Sequence, residues 1–323
     1  MPLALAQLAA GLLLLAVAAE RFVEATARLA RMLGISAIVV GAVIIGVGTS
    51  LPEMTVTLLA AVEGEAAMGL GNAVGSNVAN VTLVLGAAAV LSPLATDRRA
   101  IRREGLLALL ACALATAACA DRGVTRIEAA GLGLFGAASV AAMAWFARTM
   151  PDLPPGEVTV AQTSTDRASE AVRSRRALLV RDAVVSVLGL GAVLFGAHLL
   201  VAGAGTLARH LGASESVVGL TVVAVGTSLP ELATSVTAAR RGHGDLVLGN
   251  VLGSNLFNAT FVAAAATANG TAPVDPILWR STLAMLAAAI AAGAFAWTAR
   301  RISRFEGIAL LVAFAAHVYL TAT

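Results

Sequence analysis

The sequence lacks lysine and carries few charged residues of any kind. All 22 basic residues in its 323 are arginine, charged residues make up 13% of the chain, and hydrophobic residues make up 59%. A soluble domain is usually about 25% charged. The composition therefore excludes an ordinary soluble globular protein. Several apolar runs reach the length that spans a bilayer, and we predict a polytopic integral membrane protein.

Cysteine is scarce as well, and motifs of the common hydrolases are absent from the sequence. Cys112 and Cys119 fall in one apolar run, and on one helix they would lie about 10 Å apart along the axis, too far for a disulfide. The chain has no His-Glu zinc motif and no Ser–His pair near its polar motifs. We therefore predict a protein that is not an enzyme and that holds no cofactor.

Apolar runs between charged or turn-rich breaks predict an all-α fold with ten transmembrane helices. The first run, Leu3 to Ala19, has no basic segment before it, so we interpret it as a membrane span rather than a signal peptide. The predicted helices lie near residues 3–31, 36–62, 66–91, 101–120, 126–147, 179–209, 214–239, 244–268, 277–298 and 305–322.

A proline-rich, charged stretch from Met150 to Arg176 interrupts this pattern. It predicts a solvated linker over residues 150–178, between a first five-helix repeat (1–149) and a second (179–323). Because five is odd, the second repeat enters the membrane from the opposite side. The repeat is therefore predicted to be inverted, a common plan for transporters.

The arginines are concentrated in the loops and helix ends predicted for one side of the membrane. The opposite side holds Arg122, Arg126, Arg209 and Arg280, and Arg21 lies within the first span. Positive charge favours the cytoplasmic side. We predict a multi-pass protein of the cell (inner) membrane with both termini outside and the linker in the cytoplasm. The arginines indicate orientation and not a nucleic-acid surface, and no obligatory protein partner is evident.

A polar motif occurs twice, at a constant spacing of 178 residues. Gly-Thr-Ser-Leu-Pro-Glu ends at Glu53 and again at Glu231, and Gly-Asn and Gly-Ser-Asn-x-x-Asn follow each copy. The surroundings are apolar, and polar groups inside a membrane are costly and usually functional. Two copies in two halves predict one binding site at the repeat interface.

Proline predicts that the helix carrying each motif bends or breaks in mid-membrane. Pro52 cannot donate a hydrogen bond to the carbonyl of Gly48, and Pro230 repeats this arrangement. The break is expected to leave the carbonyls of residues 46–49 and 224–227 free to turn inward. Non-helical backbone at this depth needs protein, water or an ion as its partner.

The side chains of the two blocks are the hard oxygen donors that suit Ca²⁺ or Na⁺. Glu53 and Glu231 supply negative charge, and the spacing of four residues puts each Ser–Asn pair on one helix face. Those pairs are Ser76 with Asn80 and Ser254 with Asn258. The neighbouring Asn77 and Asn255 either join the site or satisfy the backbone of the broken helix. Glycines 71, 75, 249 and 253 are expected to let the helices approach closely.

Glu20, Arg21 and Glu24 lie near the end of the first span. Their spacing predicts ion pairs within that helix, and as a second possibility a part in a gate.

The paired blocks resemble the two α-repeats of the cation/Ca²⁺ exchanger superfamily, the sodium/calcium exchangers and their prokaryotic relatives. The resemblance rests on the two Gly-Thr-Ser-Leu-Pro-Glu motifs, the Gly-Ser-Asn-x-x-Asn after each, the ten-helix plan and the linker. It implies a central site in which three sodium positions and one calcium position share ligands. It also implies that the first and sixth helices form a sliding gate.

By this resemblance, Glu53 and Glu231 bind Ca²⁺ together with the carbonyls of Thr49 and Thr227. The two glutamates also contribute to the sodium positions, whose other ligands are hydroxyls and carbonyls. These come from Ser50, Ser76, Ser228, Ser254, Gly46 and Ala224.

Two features differ from some members of that superfamily. Asn80 and Asn258 stand where potassium-dependent exchangers carry Asp, which argues against K⁺ co-transport. The linker is also short for the large regulatory calcium-binding domains of animal exchangers.

The sequence therefore predicts a secondary antiporter that exchanges Ca²⁺ for Na⁺, with three Na⁺ per Ca²⁺ and net charge movement. One alternative keeps the antiporter and makes H⁺ the counter-ion, because buried glutamates can bind protons. A more remote alternative is a passive cation channel, although a closed site with many ligands binds too tightly for fast conduction.

Overall fold

The computed structural model describes residues 1–96, 99, 101–149, 165–211, 224–299 and 301–322, and almost all of them are helical. The helices are α1 (Pro2–Leu33), α2 (Ala37–Thr49), α3 (Leu51–Val62), α4 (Ala66–Leu91), α5 (π-helical Ile101–Gly105 followed by Leu106–Ala118), α6 (Arg126–Thr149), α7 (Thr165–His210), α8 (Ala224–Thr227), α9 (Leu229–Arg240), α10 (Gly244–Ala265), α11 (Pro276–Ala299) and α12 (Arg304–Ala322). Two short antiparallel strand pairs join loops: β1 (Leu94–Ala95) with β4 (Arg301–Ile302), and β2 (Gly123–Val124) with β3 (Ala272–Pro273).

Seven of the described helices are long and apolar enough to cross a membrane, or eight if the bent pair α2–α3 forms one span. This confirms the predicted all-α polytopic membrane fold. Helix α5 is not among these seven, and the predicted span 214–239 is described from residue 224 onward. The count of ten helices and the division into two five-helix repeats stay predictions.

Helix α7 begins earlier than the predicted start at residue 179. It runs for 46 residues from Thr165, and at 1.5 Å per residue it is about 69 Å long, about twice the thickness of a bilayer core. Residues 165–178 contain neither proline nor glycine and are rich in arginine and alanine, which form helices well. The fall in hydropathy marks the membrane boundary and not the end of the helix. The predicted linker residues 150–164 lie outside the described residues.

Helices α1 and α7 pack antiparallel over most of the length of α1. The guanidinium of Arg175 donates a 2.8 Å hydrogen bond to the Met32 carbonyl at one end, and Gly203 packs against the N-terminal turns of α1 at the other. Near the middle, a Cβ added to Gly11 would lie 2.7 Å from the backbone nitrogen of Leu200. The two helices are therefore in direct backbone contact, which a larger residue at Gly11 would prevent.

The predicted breaks occur at the serines of the two repeated motifs. Helices α2 and α3 meet at Ser50 with a bend of 41°. The backbone angles of Ser50 (φ −86°, ψ 8°) and Ser228 (φ −88°, ψ 5°) both depart from the helix. Pro52 and Pro230 then lie in the first turn of α3 and α9, where a missing N–H costs nothing.

Candidate ion-binding site

Glu53 and Glu231 lie at the beginnings of the two helices that follow the breaks. Each falls in the first turn of its helix, α3 or α9, and each is completely buried, with 0% of its surface exposed. The positive end of a helix dipole favours a carboxylate at this position. The breaks at Ser50 and Ser228 are therefore what place two helix N-termini, each with an acid, inside the protein.

Serine hydroxyls surround the two carboxylates, and one bond crosses between the halves of the chain. The Ser50 hydroxyl donates a 3.1 Å hydrogen bond to Oε1 of Glu231. The hydroxyls of Ser76 and Ser228 lie close to the Glu53 carboxylate, and the two carboxylates are near enough to repel each other. The structure thus brings both glutamates and three of the four predicted serines to one centre.

Several buried polar atoms of the two repeated blocks have no hydrogen-bond partner within the described part of the chain. They are both carboxylate oxygens of Glu53, Oε2 of Glu231, the Ser228 hydroxyl, and the side-chain amides of Asn80 and Asn258. A buried carboxylate without a partner carries a large desolvation cost, which a cation would offset. The described residues include no group of three or more His, Cys, Asp and Glu side chains suited to a metal. The donors are instead carboxylate, hydroxyl and amide oxygens, which suit a hard cation.

The prediction of a free inward carbonyl is wrong for Gly46. Its oxygen accepts a 3.3 Å bond from the Ser50 backbone and a 3.0 Å bond from the Ser254 hydroxyl. Ser254 reaches it because residues 41–46 of α2 form a π-helical turn in close contact with α10. A Cβ added to Gly253 would lie 2.2 Å from the Ala42 carbonyl oxygen. The fourth predicted serine is therefore tied to the predicted carbonyl ligand.

The expected close approach is confirmed for the glycines of α10. A Cβ added to Gly249 would lie 2.3 Å from the Ile38 carbonyl oxygen, which agrees with the contact at Gly253. At the repeat spacing of 178 residues, the equivalent partners of Gly71 and Gly75 fall within residues 212–223, outside the described part of the chain.

Thr49 is buried, and its hydroxyl is already bonded. It donates to the carbonyl of Ile45 at 2.9 Å and lies 3.3 Å from Oδ1 of Asn250. The predicted ligand is the main-chain carbonyl oxygen of Thr49, which takes no part in these bonds. Thr227 is also buried, and Ala224 begins α8.

Asn72 and Asn250 support the two glutamates, a role that the sequence prediction missed. The Asn72 amide donates 3.1 Å bonds to the Glu53 carbonyl and to the Thr57 hydroxyl. The Asn250 amide donates to the Glu231 carbonyl at 3.3 Å and to the Ser235 hydroxyl at 2.8 Å. Both asparagines recur in the repeated Gly-Asn dipeptide, and hydroxyls recur at 57 and 235. That recurrence was the signal available in the sequence.

Asn77 satisfies a backbone carbonyl, as in the second of its two predicted roles, but that carbonyl belongs to α10 and not to the broken helix. Its amide donates a 3.2 Å bond to the carbonyl of Asn255, next to the predicted ligand Ser254. Asn77 therefore satisfies the backbone of the opposite motif and joins the two halves.

The acids near the end of the first predicted span form ion pairs across the fold. Within α1, the described ion pair joins Glu24 to Arg28 and not to Arg21, the partner that the sequence suggested. Glu24 lies 3.8 Å from Arg28 of its own helix. Arg241, which follows α9, forms ion pairs with Glu20 and with Glu24, the latter at 2.9 Å. The sequence prediction missed this partner because it comes from a distant part of the chain.

Comparison with known proteins identifies the family. The model of the sodium/calcium exchanger protein family matches residues 3–145 and 182–323, which include both motifs. The chain is 38% identical to CaxA of Alkalimonas amylolytica over 96% of each chain. It is 30% identical to the sodium/calcium exchanger MaX1 of Methanosarcina acetivorans over 95% of each.

The fold leads to the same family. A solved structure of the sodium-calcium exchanger NCX_Mj superposes with a TM-score of 0.84, at 29% identity, over 98% of each chain. The protein is therefore an integral membrane transporter and not an enzyme. Both comparisons agree with the resemblance that the repeated motifs carry, and the chain belongs to the sodium/calcium exchanger protein family.

Proposed function

We propose that this protein is a secondary antiporter that exchanges Ca²⁺ for Na⁺. The observation that carries the proposal is the pair of completely buried glutamates, Glu53 and Glu231, of which three carboxylate oxygens have no hydrogen-bond partner among the described residues. Neither glutamate forms an ion pair with a basic side chain of the described residues, so two buried negative charges would be balanced by cations from outside. The family relationship supports Ca²⁺ and Na⁺ as those cations.

The proposed ligands are those implied by the family resemblance. Ca²⁺ binds the Glu53 and Glu231 carboxylates and the carbonyls of Thr49 and Thr227. Na⁺ ions share the two carboxylates and use the serine hydroxyls at 50, 76, 228 and 254, with the carbonyls at 46 and 224. The Ser254–Gly46 bond then opens when Na⁺ binds between these two groups. Asn80 and Asn258 add neutral amides, which leaves two acids in the site and argues against K⁺ co-transport.

The proposed transport cycle is alternating access in a ten-helix inverted repeat. Helices α1 and α7, the first and sixth predicted spans, move as the gate. The other helices stay in place and hold the ions. The protein lies in the cell (inner) membrane in this proposal. The arginine distribution supports an orientation with both termini outside and the linker in the cytoplasm. Export of Ca²⁺ driven by inward Na⁺ movement is the expected physiological direction.

The experiment that tests this function is ⁴⁵Ca²⁺ uptake into proteoliposomes loaded in turn with Na⁺, K⁺ or buffered protons. We expect uptake that saturates with Ca²⁺ and requires internal Na⁺. Glu53→Gln and Glu231→Gln should each abolish it, because the amide keeps the shape and removes half the charge of the site. Glu63→Gln is the matched control, because Glu63 is an exposed acid that directly follows α3.

Three results would contradict the proposal. Wild-type flux in either buried-site variant, with the protein folded and inserted, would show that the ion site lies elsewhere. Uptake that follows internal protons equally well would favour an H⁺-coupled antiporter. Uptake that needs no cation on the opposite side would favour a channel.

A further inference from the structure

A deep crevice lies between helices α4, α5, α10 and α11, apart from the ion-binding site. Its volume is about 500 Å³, within the range of about 300–1,000 Å³ typical of small-molecule sites. Its rim includes three exposed apolar residues, Leu106, Ile290 and Trp297, and its inner wall includes the buried residues Val251 and Asn255. The crevice therefore opens sideways from the interior of the fold to the surface that the bilayer covers.

The lining of the crevice decides what kind of molecule can occupy it. Most lining residues are aliphatic or aromatic, and the polar ones are Arg102, Asn255 and Thr298. Water gains little in such a cavity, because it needs two to four polar partners. In a bilayer the adjoining molecules are lipids, and a hydrocarbon chain matches the apolar wall. The occupant is therefore an acyl chain.

Positive charge at the rim selects the lipid head group. The guanidinium carbon of Arg102 lies 5.1 Å from the centre of the Trp297 ring, and both residues line the crevice. In the part of the chain that the structure describes, no carboxylate forms an ion pair with Arg102. A guanidinium stacked on an aromatic face keeps its N–H edges available for phosphate oxygens. Tryptophan at this place also suits the head-group level of a membrane.

Two neighbouring arginines, one on α5 and one on β4, add to this charge. Arg103 stacks on Phe146 at 5.2 Å, and Arg301 is exposed on β4, the strand paired with the loop before α5. By the proposed orientation these arginines face the cytoplasm. Basic pockets between transmembrane helices on that side bind anionic head groups.

We infer that this crevice binds one anionic phospholipid, with an acyl chain between α5 and α11 and its phosphate on Arg102. The site is independent of the exchange function, because Arg102, Gly293 and Trp297 take no part in the ion site. Its inner wall is formed partly by α10, one residue from Ser254, so the bound chain packs against a helix that carries predicted ion ligands.

Quenching of Trp297 fluorescence tests the inference in the full-length protein. The protein carries Trp145→Phe and Trp279→Phe and is reconstituted in phosphatidylcholine nanodiscs with a small fraction of brominated lipid. We expect brominated phosphatidylglycerol to quench Trp297 more strongly than brominated phosphatidylcholine at the same mole fraction. Arg102→Gln should lower this preference about fivefold, since one basic residue near the head groups contributes about that much. Arg280→Gln, at the other end of α11, is the matched control.

A second variant tests the acyl-chain part of the site. Gly293 lines the crevice, and a Cβ added to it meets no described atom within 4 Å, so Gly293→Leu fills the space. We expect it to remove the phosphatidylglycerol preference. Gly191→Leu is the control, because Gly191 is an exposed residue of α7 with equal room for a Cβ.

Native mass spectrometry gives a readout that does not depend on Trp297. One phosphatidylglycerol should stay bound to the wild type and to both control variants, and should be lost from Arg102→Gln and Gly293→Leu. Equal quenching by the two brominated lipids in the protein whose only tryptophan is Trp297 would overturn the inference. Retention of the lipid by both crevice variants would also overturn it. If the protein binds the lipid but does not exchange Ca²⁺, the proposed function is contradicted and this inference is not.

Discussion

Ser50 both ends a helix and contacts the carboxylate of the opposite half. Its hydroxyl donates to Glu231 at 3.1 Å, and hydrogen bonds to charged groups contribute about 1.5–3 kcal/mol. We expect Ser50→Ala to raise the Na⁺ concentration for half-maximal exchange about tenfold or more, with a smaller effect on Ca²⁺. The reason is that the carboxylates dominate the proposed Ca²⁺ site and hydroxyls the proposed Na⁺ sites. The Na⁺ dependence of ⁴⁵Ca²⁺ efflux from proteoliposomes measures this.

Thr55→Ala is the matched control for this prediction. Thr55 lies on α3, five residues after Ser50, and its exposed hydroxyl bonds to the carbonyl of Leu51 in its own helix. Its loss should leave the Na⁺ dependence unchanged. Equal Na⁺ dependence in Ser50→Ala and Thr55→Ala would contradict a role for the Ser50 hydroxyl at the site.

At the scale of residues, the sequence predicted the glutamates and serines because their motif occurs twice in an apolar context. It did not predict that the Asn72 amide would bond to the Glu53 carbonyl, because that contact depends on how α4 packs against α3. It also left the Gly46 carbonyl free, whereas Ser254 occupies it. Both differences concern contacts between helices, and local propensity carries no information about such contacts.

Helices α1 and α7 are joined by a buried ion pair near one end. The Arg28 guanidinium donates 3.0 and 3.2 Å bonds to the two carboxylate oxygens of Asp182, whose side chain is only 1% exposed. Arg28→Gln leaves this carboxylate with Arg181 as its ion-pair partner among the described residues. We expect a loss of about 1–3 kcal/mol in the free energy of unfolding, less than for a wholly buried pair because Arg28 is partly exposed. Thermal unfolding in detergent, followed by size-exclusion chromatography, measures the change.

Two further variants make this prediction specific. Arg181→Gln removes the more exposed partner of the same carboxylate, at 59% side-chain exposure, and should lower the melting temperature less. Asp182→Asn added to Arg28→Gln removes a buried charge that then has only the exposed Arg181 as its described ion-pair partner, and should recover part of the loss. If Arg28→Gln and Arg181→Gln have the same melting temperature, the Arg28–Asp182 pair does not hold the two helices together.

At the scale of elements, the apolar runs predicted most of the described helices, and the two prolines predicted both breaks. The start of α7 was wrong by 14 residues, 165 against 179, because a helix can continue in water after its apolar run has ended. The π-helical turns at residues 41–46, 80–84 and 258–262 were not predicted. A single extra residue in a helical turn leaves no clear mark on a hydropathy pattern.

For the whole molecule, the proposed function implies that the two glutamates set the charge that moves in each cycle. A site with charge −2 carries one net positive charge with three Na⁺ and none with one Ca²⁺. Exchange should therefore respond to membrane potential, by about 2.3 kcal/mol per 100 mV, or about 50-fold in the equilibrium Ca²⁺ gradient. Proteoliposomes clamped with valinomycin and K⁺ measure this. An inside-negative potential should speed Na⁺-driven Ca²⁺ exit from the compartment that matches the cytoplasm.

The natural control is the same measurement with valinomycin and equal K⁺ on both sides, at zero potential. An exchange rate that does not change with the imposed potential would rule out three Na⁺ per Ca²⁺. It would favour two Na⁺ or two protons per Ca²⁺. Such a result would leave the ion ligands themselves unaffected.

The backbone contact between α1 and α7 has a consequence for leakage. Gly11 and Gly203 each sit against main-chain atoms of the opposite helix, and the Arg28–Asp182 pair ties the same two helices at the far end. Joined in this way, the pair is expected to move as one rigid body. In the proposed cycle, a displacement that uncovers the ion site towards one face then covers it towards the other. In that cycle a pathway open to both faces at once would require the two helices to separate, so we expect their packing to keep the membrane sealed while ions cross.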